Sequence, residues 1–544
     1  MASFGKSGVI REARLELQIL RDMPNLRAKI KKFQADPQFL YRFWDNALGK
    51  ALGHSGGAPL LKFVMDCACE LDTAFPSLSI DSVSAMRAVI LTQRQALTLI
   101  CAAVMSILLP PPHGFDASHF TFKNFNNQEM LLCVGQYLLT CRGRLLIDPA
   151  WTGSLISYSR RALPAEELAS VDDWTSLAGP LGPITIHKEG DIAYTQGTLH
   201  ADFANEYVGG GTLCGGCVQE EIRFVLSPEL MVSMLLCDRM HNQEAILIRG
   251  TEIYSRYTGY SASFAFAGPY DDQTPVVEGY RESHVVALDA VRYGLGPAAL
   301  SQFGSRALLR DLRKCLVAVK RWPEESPDLP VQPGELGPPP GLPSQPPVAA
   351  ASPAPQSHPA LRPFATGKWG CGAFGGDAQL KSVQQWLAAS VAGRPVDFYP
   401  FSDKPLATGL TDLVATIRTS ERPVSAGLLA AWSFAYKDAA LSVHVRRQRE
   451  PPSFFAFLSE MLLRHNAAAP VGSQTQGVDG LDAYDGVLVR VDADAEADAP
   501  APFPCQALFA DDNVNEWTDI GEGWAASHGE HGKGRGGSEA CAHL

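Results

Sequence analysis

A glycine-rich loop followed by two adjacent glutamates is the feature of this chain best suited to chemistry. The first glycine loop, residues 209–216, begins with three consecutive glycines and precedes Gln219, Glu220 and Glu221. Glycine tolerates positive φ, and a loop of backbone N–H groups running into a helix can bind a pyrophosphate. Two carboxylates beside such a loop could supply acid–base catalysis. The same pattern also fits a flexible surface loop and an ordinary acidic first helical turn, and spacing alone does not separate the two.

Three motifs, taken in order, give the chain a family resemblance. The pattern GGG, a short spacer and QEE resembles the signature of the poly(ADP-ribose) glycohydrolases. Tyr254 to Tyr260, YSRYTGY, and Thr366 to Leu380, TGKWGCGAFGGDAQL, resemble two further segments of that family. The second of these contains what we call the second glycine turn, Gly370 to Asp377. The resemblance extends from about Ile90 to Leu463.

The resemblance implies a fold and a reaction. The fold is α/β: a macrodomain-like mixed sheet flanked by helices, with ADP-ribose bound at the loops on one end of the sheet and an N-terminal α-helical accessory domain. The reaction is hydrolysis of the ribose–ribose O-glycosidic bonds of poly(ADP-ribose), which releases ADP-ribose. We expect no metal and no other cofactor. The alternative is a non-catalytic macrodomain that reads ADP-ribose chains without cutting them, although a reader would not need the acid.

Three carboxylates match the family's catalytic positions. Glu221 matches the catalytic acid, Glu220 matches the residue that orients the ribose hydroxyls, and Asp202 matches an acidic position near the ribose. Adjacent helical residues point about 100° apart, so Glu220 and Glu221 need not flank the bond as two separate carboxylates do. This favours one carboxylate, Glu221, acting first as acid and then as base.

The remaining positions that the resemblance assigns to the substrate come from the glycine segments and their flanks. They are Asn205, Gly209, Gly210, Gly211, Gln219, Tyr260, Gly372, Phe374, Gly375, Gly376 and Phe401. Tyr260 is expected to reach the substrate, and the two phenylalanines to pack on adenine or ribose. Without the family match, both phenylalanines would be read as core residues. Asp191 to Gly197 should face the adenine, but no residue in it can be assigned.

Short apolar runs alternating with helical patterns must position these residues. Leu199 to Phe203 is expected to be a strand leading into the first glycine loop, and Asp377 is expected to cap a helix from Gln379 to Val391. Strands alternating with helices favour an α/β layer architecture. An apolar helix is expected from Ile90 to Leu109.

These elements suggest three regions. Residues 1–145 are expected to form the helical accessory domain and residues 146–466 the catalytic domain. A proline-rich insert at about 322–363 should interrupt the catalytic domain without dividing it, and residues 467–544 should be a largely disordered tail.

Composition limits the partners. The formal net charge of -12 argues against direct, sequence-specific or non-specific nucleic-acid binding. The twelve cysteines show no zinc spacing and no signal peptide precedes them, so free thiols in a reducing compartment are expected, in the nucleus or the cytoplasm or both. We expect a monomer that acts on poly(ADP-ribose) carried by modified proteins, without a membrane-spanning segment. The glycines lack the lysine of a P-loop, which excludes a P-loop nucleotidase.

Overall fold

The computed structural model describes residues 14–16, 54–75, 79–81, 83, 88–105, 120–122, 125, 127–294, 296–322, 361–446 and 452–467. Fourteen strands are assigned in these residues, namely β1 Arg14–Glu16, β2 Ser79–Asp81, β3 Val89–Thr92, β4 Leu155–Ala162, β5 Ile184–Ile186, β6 Leu199–Ala204, β7 Glu244–Arg249, β8 Ser255–Thr258, β9 Ala265–Pro269, β10 Val276–Val277, β11 Tyr280–Arg281, β12 His284–Asp289, β13 Phe364–Gly367 and β14 Val396–Tyr399.

Helices flank these strands. The α-helices of the described residues are α1 His54–Ala68, α2 Leu71–Ala74, α3 Gln93–Val104, α4 Gln128–Ile147, α5 Val171–Thr175, α6 Gln219–Leu226, α7 Ser233–Leu236, α8 Ser305–Val319, α9 Ala378–Val391, α10 Lys404–Arg418, α11 Ala426–Arg446 and α12 Phe454–Ala467. Short 3₁₀ turns occur at Pro149–Gly153, Ile192–Tyr194, Thr212–Cys214, Pro228–Val232, Ser261–Ser263 and Gly296–Phe303.

A ten-stranded mixed sheet forms the centre of the fold. Its main path runs β10, β11, β4, β7, β12, β6, β13, β14 and β5, and β3 pairs with β4 outside this path. Strands β12, β6, β13, β14 and β5 are mutually parallel, whereas β7 is antiparallel to both β4 and β12. The predicted mixed sheet flanked by helices is therefore confirmed.

The parallel strands bring the two glycine segments to one edge of the sheet. The first glycine loop follows the carboxyl end of β6, and the second glycine turn follows the carboxyl end of β13, its parallel neighbour. Parallel strands end on the same side, and α/β sheets bind ligands there. Residues 160 positions apart in the sequence are thereby made neighbours.

Both faces of the sheet are buried. Along β12, Val285 and Ala287 join one apolar core, while Val286 and Leu288 join the other. Successive side chains of a strand point to opposite faces, so this alternation places one core on each side of the sheet. The uninterrupted apolar run of β12 is the pattern expected for such a strand.

The N-terminal region departs from a purely helical accessory domain. Val89–Thr92 pairs with β4 as strand β3, so the helix predicted from Ile90 begins only at Gln93. The Thr92 side chain accepts the Gln95 N–H, at 3.1 Å, as an N-cap. β-Branched residues followed by a capping threonine favour a strand that turns into a helix. Helices α1, α3 and α4 share an apolar core with the sheet, and the described residues up to 467 belong to one compact unit.

Two predicted segments fall largely outside the described residues. These are the proline-rich insert, of which only residues 322 and 361–363 are described, and the tail, from which 468–544 are excluded. One described helix, α4, is long and apolar enough by composition to cross a membrane. Core helices of other proteins pass the same test, and in α4 Val134, Tyr137, Leu138 and Cys141 are fully buried in the core.

We expect Leu288→Ala to lower the free energy of unfolding by about 2–5 kcal/mol, because it empties a fully buried site on the central strand β12. Chemical denaturation measures the loss. Val291→Ala, three residues later at a side chain that is 36% exposed, is the matched control and should change stability by less than about 0.5 kcal/mol. Equal effects of the two changes would contradict the assigned core.

Candidate active site

Gln219 joins the start of α6 to strand β6. Its Oε1 accepts the Phe203 N–H at 2.8 Å, and its Nε2 donates to the Ala201 carbonyl at 3.0 Å. The pairing of β6 with β13 has ended by His200, so the amide bonds backbone groups beyond that pairing. This contact fixes the start of α6 against β6, and with it the positions of Glu220 and Glu221.

Four backbone N–H groups hold the paired glutamates. Glu220 accepts from Asn205 at 2.9 Å with Oε2 and from Gly209 at 2.6 Å with Oε1. Glu221 accepts from Gly211 with Oε1 and from Val218 with Oε2, both at 2.9 Å. Backbone donors to a carboxylate form strong, geometrically fixed hydrogen bonds. The first glycine loop is thus folded around the acids.

Glycine is required where the loop meets these carboxylates. Gly210 has φ +46°, and a Cβ there would lie 2.4 Å from Glu220 Oε2 and 2.8 Å from Glu221 Oε1. A Cβ on Gly216 would lie 2.7 Å from the Glu221 carboxyl carbon. Any side chain at these positions must displace the acids.

The glycine triplet therefore differs from the expected phosphate cradle. Its three N–H groups are already used: Gly209 and Gly211 donate to the glutamates, and Gly210 donates to the Tyr207 carbonyl at 3.1 Å. The predicted substrate contacts of the triplet stay predictions, but those donors serve the acids in this structure. The reason is tertiary, since the carboxylates come from a helix that begins eight residues after the triplet.

The second glycine turn has the open donors. Within the described residues, the N–H groups of Gly372, Ala373 and Phe374 have no acceptor, and Gly372 and Ala373 are exposed. Gly375 has φ +72°, and a Cβ there would lie 2.1 Å from the Gly294 carbonyl oxygen. Successive backbone N–H groups that face solvent form an anion-binding concavity.

Burial changes the acidity of the carboxyl groups. Asp202 has no exposed surface and its carboxyl oxygens have no hydrogen-bond partner in the described structure. Burial, helped by the charge of Glu221, raises the pKa of Asp202 to about 8. Burial and the charges of Asp202 and Glu221 raise the pKa of Glu220 well above its usual value.

Glu221 is held between opposing influences. Burial raises the pKa of Glu221, while the N–H bonds from Val218 and Gly211 oppose the shift. The side chain keeps 6% of its surface exposed, whereas Asp202 keeps none. Clustered buried carboxyls cannot all ionise cheaply, so the group retains protons at a pH where isolated carboxylates have lost theirs. Any part of Asp202 in a reaction must act through the two glutamates.

Exposed aromatic side chains border the acids. Tyr260 is 52% exposed; burial of the rest of the side chain raises the pKa of its hydroxyl, and the backbone N–H of Gln219 opposes that shift. Phe401, at φ +51° and 37% exposed, lies edge-to-face with Phe203 at 6.3 Å between ring centroids. Phe374 is partly buried, and its carbonyl accepts the Tyr293 N–H at 2.8 Å. Neither phenylalanine is a fully buried core residue. Their packing on adenine or ribose, which the resemblance implied, stays a prediction.

The segment expected to face adenine is tied to a group of tyrosines. The Asp191 carboxylate accepts the Tyr257 hydroxyl, and Tyr194 donates to the Ser255 carbonyl at 3.1 Å. The rings of Tyr194 and Tyr257 lie 6.2 Å apart. These contacts fix the segment beside β8, whose residues belong to the YSRYTGY motif.

Sequence reasoning missed one buried cation, Arg223. Its Nη1 donates to Ser227 Oγ at 2.6 Å, while Nε and Nη2 have no partner in the described structure. The charges of Asp272, Asp202, Glu229 and Asp191 all favour its charged form against burial. The available signal was a lone arginine within an apolar helical run, three residues after Glu220 and therefore on the same helix face.

Comparison with known proteins shows which family this part of the chain is similar to. Residues 171–408 match the family described as Poly (ADP-ribose) glycohydrolase (PARG), Macro domain fold. The probable poly(ADP-ribose) glycohydrolase 2 of Arabidopsis thaliana is 34% identical over 288 residues, which cover 49% of this chain and 53% of that protein. Poly(ADP-ribose) glycohydrolase 1 of Arabidopsis thaliana is 35% identical over 289 residues, 46% of this chain and 51% of that protein.

A more distant relative matches over a similar region. Poly(ADP-ribose) glycohydrolase 1 of Caenorhabditis elegans is 29% identical over 324 residues, 57% of this chain and 36% of that protein. The chain spans about half the length, or less, of these curated relatives. The predicted resemblance to this family, and the macrodomain fold it implied, are confirmed.

We expect Asp202→Asn to reduce the pH dependence of stability. A carboxyl whose pKa rises from 3.8 to about 8 on folding stabilises the protein fully below about pH 4 and loses that contribution as the pH rises to about 8. The loss is about 1.4 kcal/mol per pKa unit. Chemical denaturation between pH 4.5 and 8.5 (about the range of the shift) should therefore show a flatter profile for the variant.

Asp66→Asn is the control, because Asp66 is 60% exposed in its ion pair with Lys62 and should leave the slope unchanged. Parallel profiles for the wild type and Asp202→Asn would show that Asp202 titrates normally.

Proposed function

We propose that this chain hydrolyses the ribose–ribose O-glycosidic bonds of poly(ADP-ribose) and releases ADP-ribose. Its residues 171–408 match the macrodomain-fold family of the poly(ADP-ribose) glycohydrolases. The observation that carries the proposal is Glu221. Its carboxyl is fixed by two backbone N–H groups, burial raises its pKa, and it keeps some exposed surface beside the exposed Tyr260. Glycoside hydrolysis needs such a retained proton.

Glu221 then acts twice. The protonated carboxyl donates its proton to the leaving ribose oxygen as the bond from that oxygen to the anomeric carbon breaks, and an oxocarbenium-like centre develops. The resulting carboxylate removes a proton from water as the water oxygen bonds to the anomeric carbon. One water is consumed, the proton returns to Glu221, and one linkage becomes two hydroxyl groups.

Glu220 and Asp202 support this residue from behind. Both Glu220 oxygens accept backbone N–H groups, so this side chain shapes the first glycine loop, and its contact with a ribose hydroxyl remains a proposal. Asp202 is fully buried, and its charge adds to burial in raising the pKa of Glu220. Asn205 accepts the Tyr207 N–H with Oδ1, which leaves its Nδ2 to donate to a sugar.

The open N–H groups of the second glycine turn support binding of the substrate diphosphate there. The exposed rings of Tyr260 and Phe401 suit the packing of ribose or adenine, which offer apolar faces. Holding the diphosphate at this turn and a ring of the substrate at the aromatic side chains would position the linkage at Glu221.

The remaining expectations concern the oligomeric state, the polymer carrier and the location of the protein. We expect the chain to act as a monomer on poly(ADP-ribose) attached to modified proteins, away from membranes and without direct nucleic-acid binding, in the nucleus or cytoplasm or both. The net charge of -12 supports the absence of binding to bare nucleic acid. The ten cysteines described by the structure are free thiols, which fits a reducing compartment.

Glu221→Gln should abolish release of ADP-ribose from poly(ADP-ribose), by at least 100-fold, while ADP-ribose still raises the melting temperature. Glutamine keeps one of the two oxygens that accept a backbone N–H, and it cannot donate and recover a proton. Chromatography of the products measures turnover. Glu166→Gln, at an exposed glutamate, is the matched control and should be fully active. Full activity of Glu221→Gln refutes its role, and binding without release by the wild type would instead indicate a non-catalytic reader.

We expect the wild type to lose kcat/KM as the pH rises through the elevated pKa of Glu221, because the free enzyme must hold the proton that it donates. Initial rates at low substrate concentration across pH 5–9 (about the range needed to see the limb) give the profile. A profile that stays flat above neutrality is incompatible with Glu221 as general acid.

A further inference from the structure

The second glycine turn lies on a buried group of charged residues. Three cations and two anions are joined by ion pairs, so the group carries one positive charge in excess if all five are ionised. The members of this ion-pair cluster are Asp289, Arg310, Asp311, Lys314 and Lys381.

The contacts within the ion-pair cluster are short and dry. Lys381 Nζ lies 2.5 Å from Asp311 Oδ2, and Lys314 Nζ lies 2.5 Å from Asp289 Oδ1. Arg310 joins the two halves by pairing with both aspartates. The side chains of Lys314 and Lys381 have no exposed surface, and that of Asp311 has 1%. Burial opposes ionisation of Asp289, yet the charges of Arg310 and Lys314 hold its pKa below the usual value.

Lys381 is the cluster member that underlies the turn. A Cβ on Gly376 would lie 3.2 Å from Lys381 Cε, and one on Gly370 would lie 4.0 Å from Lys381 Nζ. The ammonium also lies 4.1 Å from the centre of the Trp369 ring, at the entry to the turn. It therefore lies behind the backbone of Gly370 and Gly376, which stand on either side of the N–H groups of residues 372–374 that have no acceptor among the described residues.

The turn itself responds to this charge. Burial raises the pKa of the Cys371 thiol to about 12, and of the charges acting on that thiol the largest is that of Lys381, which lowers it. Asp377 has the next largest effect and raises this pKa, followed by Lys368, which lowers it, and Asp311, which raises it. A positive potential thus reaches the turn from below.

We propose that Lys381 is a specificity-determining residue for the diphosphate, because its buried ammonium, within an ion-pair cluster that has one positive charge in excess, supplies a fixed positive potential behind the open N–H groups of the second glycine turn. It does not touch the ligand. The inference rests on the proposed function for the identity of the ligand. It explains how a protein of net charge -12 holds a polyanion: the attracting charge is internal and is screened less by salt than a surface lysine.

Opposite changes of charge in the ion-pair cluster separate electrostatics from structure. Lys381→Met removes the positive charge and should raise the Kd for ADP-ribose about tenfold, by the loss of one charge at short range. Asp311→Asn keeps the size and acceptor oxygen but removes a negative charge, and should lower the Kd by several fold. A purely structural role would weaken binding in both variants, so a raised Kd in Asp311→Asn overturns the proposal, as does an unchanged Kd in Lys381→Met.

Lys320→Met is the charge-matched control. Lys320 is 37% exposed, pairs with Glu167 beyond the end of α8, and should not alter the Kd. Calorimetry with inorganic pyrophosphate as a second probe should give the same order of the variants, since pyrophosphate needs only the turn and its potential. If Lys381→Met fails to fold, Asp311→Asn decides the outcome with both ligands.

The same set of measurements keeps the two proposals apart. If the variants bind pyrophosphate in the expected order but the wild type releases no ADP-ribose from the polymer, the inference stands and the hydrolase is rejected. Wild-type protein that releases ADP-ribose while both charge changes leave the Kd unaltered retains the hydrolase and rejects the inference.

Discussion

The paired glutamates held by backbone N–H groups are the interaction on which the site depends. Two carboxyls with 3% and 6% of their surface exposed would be costly to bury without partners, and Gly209, Gly211, Asn205 and Val218 supply four donors. Gly210 and Gly216 cannot be replaced without moving the acids, because a Cβ would lie 2.4 Å from Glu220 Oε2 or 2.7 Å from the Glu221 carboxyl carbon. Loop conformation and helix start are consequences of this arrangement, whereas proton retention comes from burial, which the same N–H groups oppose.

The two glycine segments use their backbone N–H donors differently. The first glycine loop turns its donors inward to the acids, and the second glycine turn leaves its donors outward for an anion. Both lie at the carboxyl ends of neighbouring parallel strands, β6 and β13. An anion bound at the second glycine turn would therefore lie at the same edge of the sheet as the glutamates. The separation suits a reaction in which one part of the substrate is held and another is cleaved.

Charge distribution follows the same division. The side of the site that holds the paired glutamates gathers buried carboxyls, and among the described residues of α6 the buried Arg223 opposes their charge. The side that would hold the diphosphate has buried ion pairs with more cations than anions. The overall negative charge of the chain therefore says little about the potential at either place. Local burial decides it, because charges in a dry interior act over short distances with little screening.

Several sequence predictions were confirmed by particular elements. The strand expected at Leu199 to Phe203 is β6, and the helix expected after Asp377 is α9, with the Asp377 side chain accepting the Leu380 N–H. Local patterns set these elements because apolar periodicity and caps act within a few residues. The helix expected from Ile90 failed in its first turn, since pairing with β4 took Val89–Thr92 into the sheet.

The sequence by itself determined the family resemblance and the order of the motifs, because these depend on residue types at short spacing. Only the tertiary structure decided where the donors point. It assigned the N–H groups of Gly209 and Gly211 to carboxylates ten or eleven residues away, and it placed Lys381 and Asp311, seventy residues apart, behind the second glycine turn. Direction and burial are properties of packing between distant segments, and no local pattern encodes them.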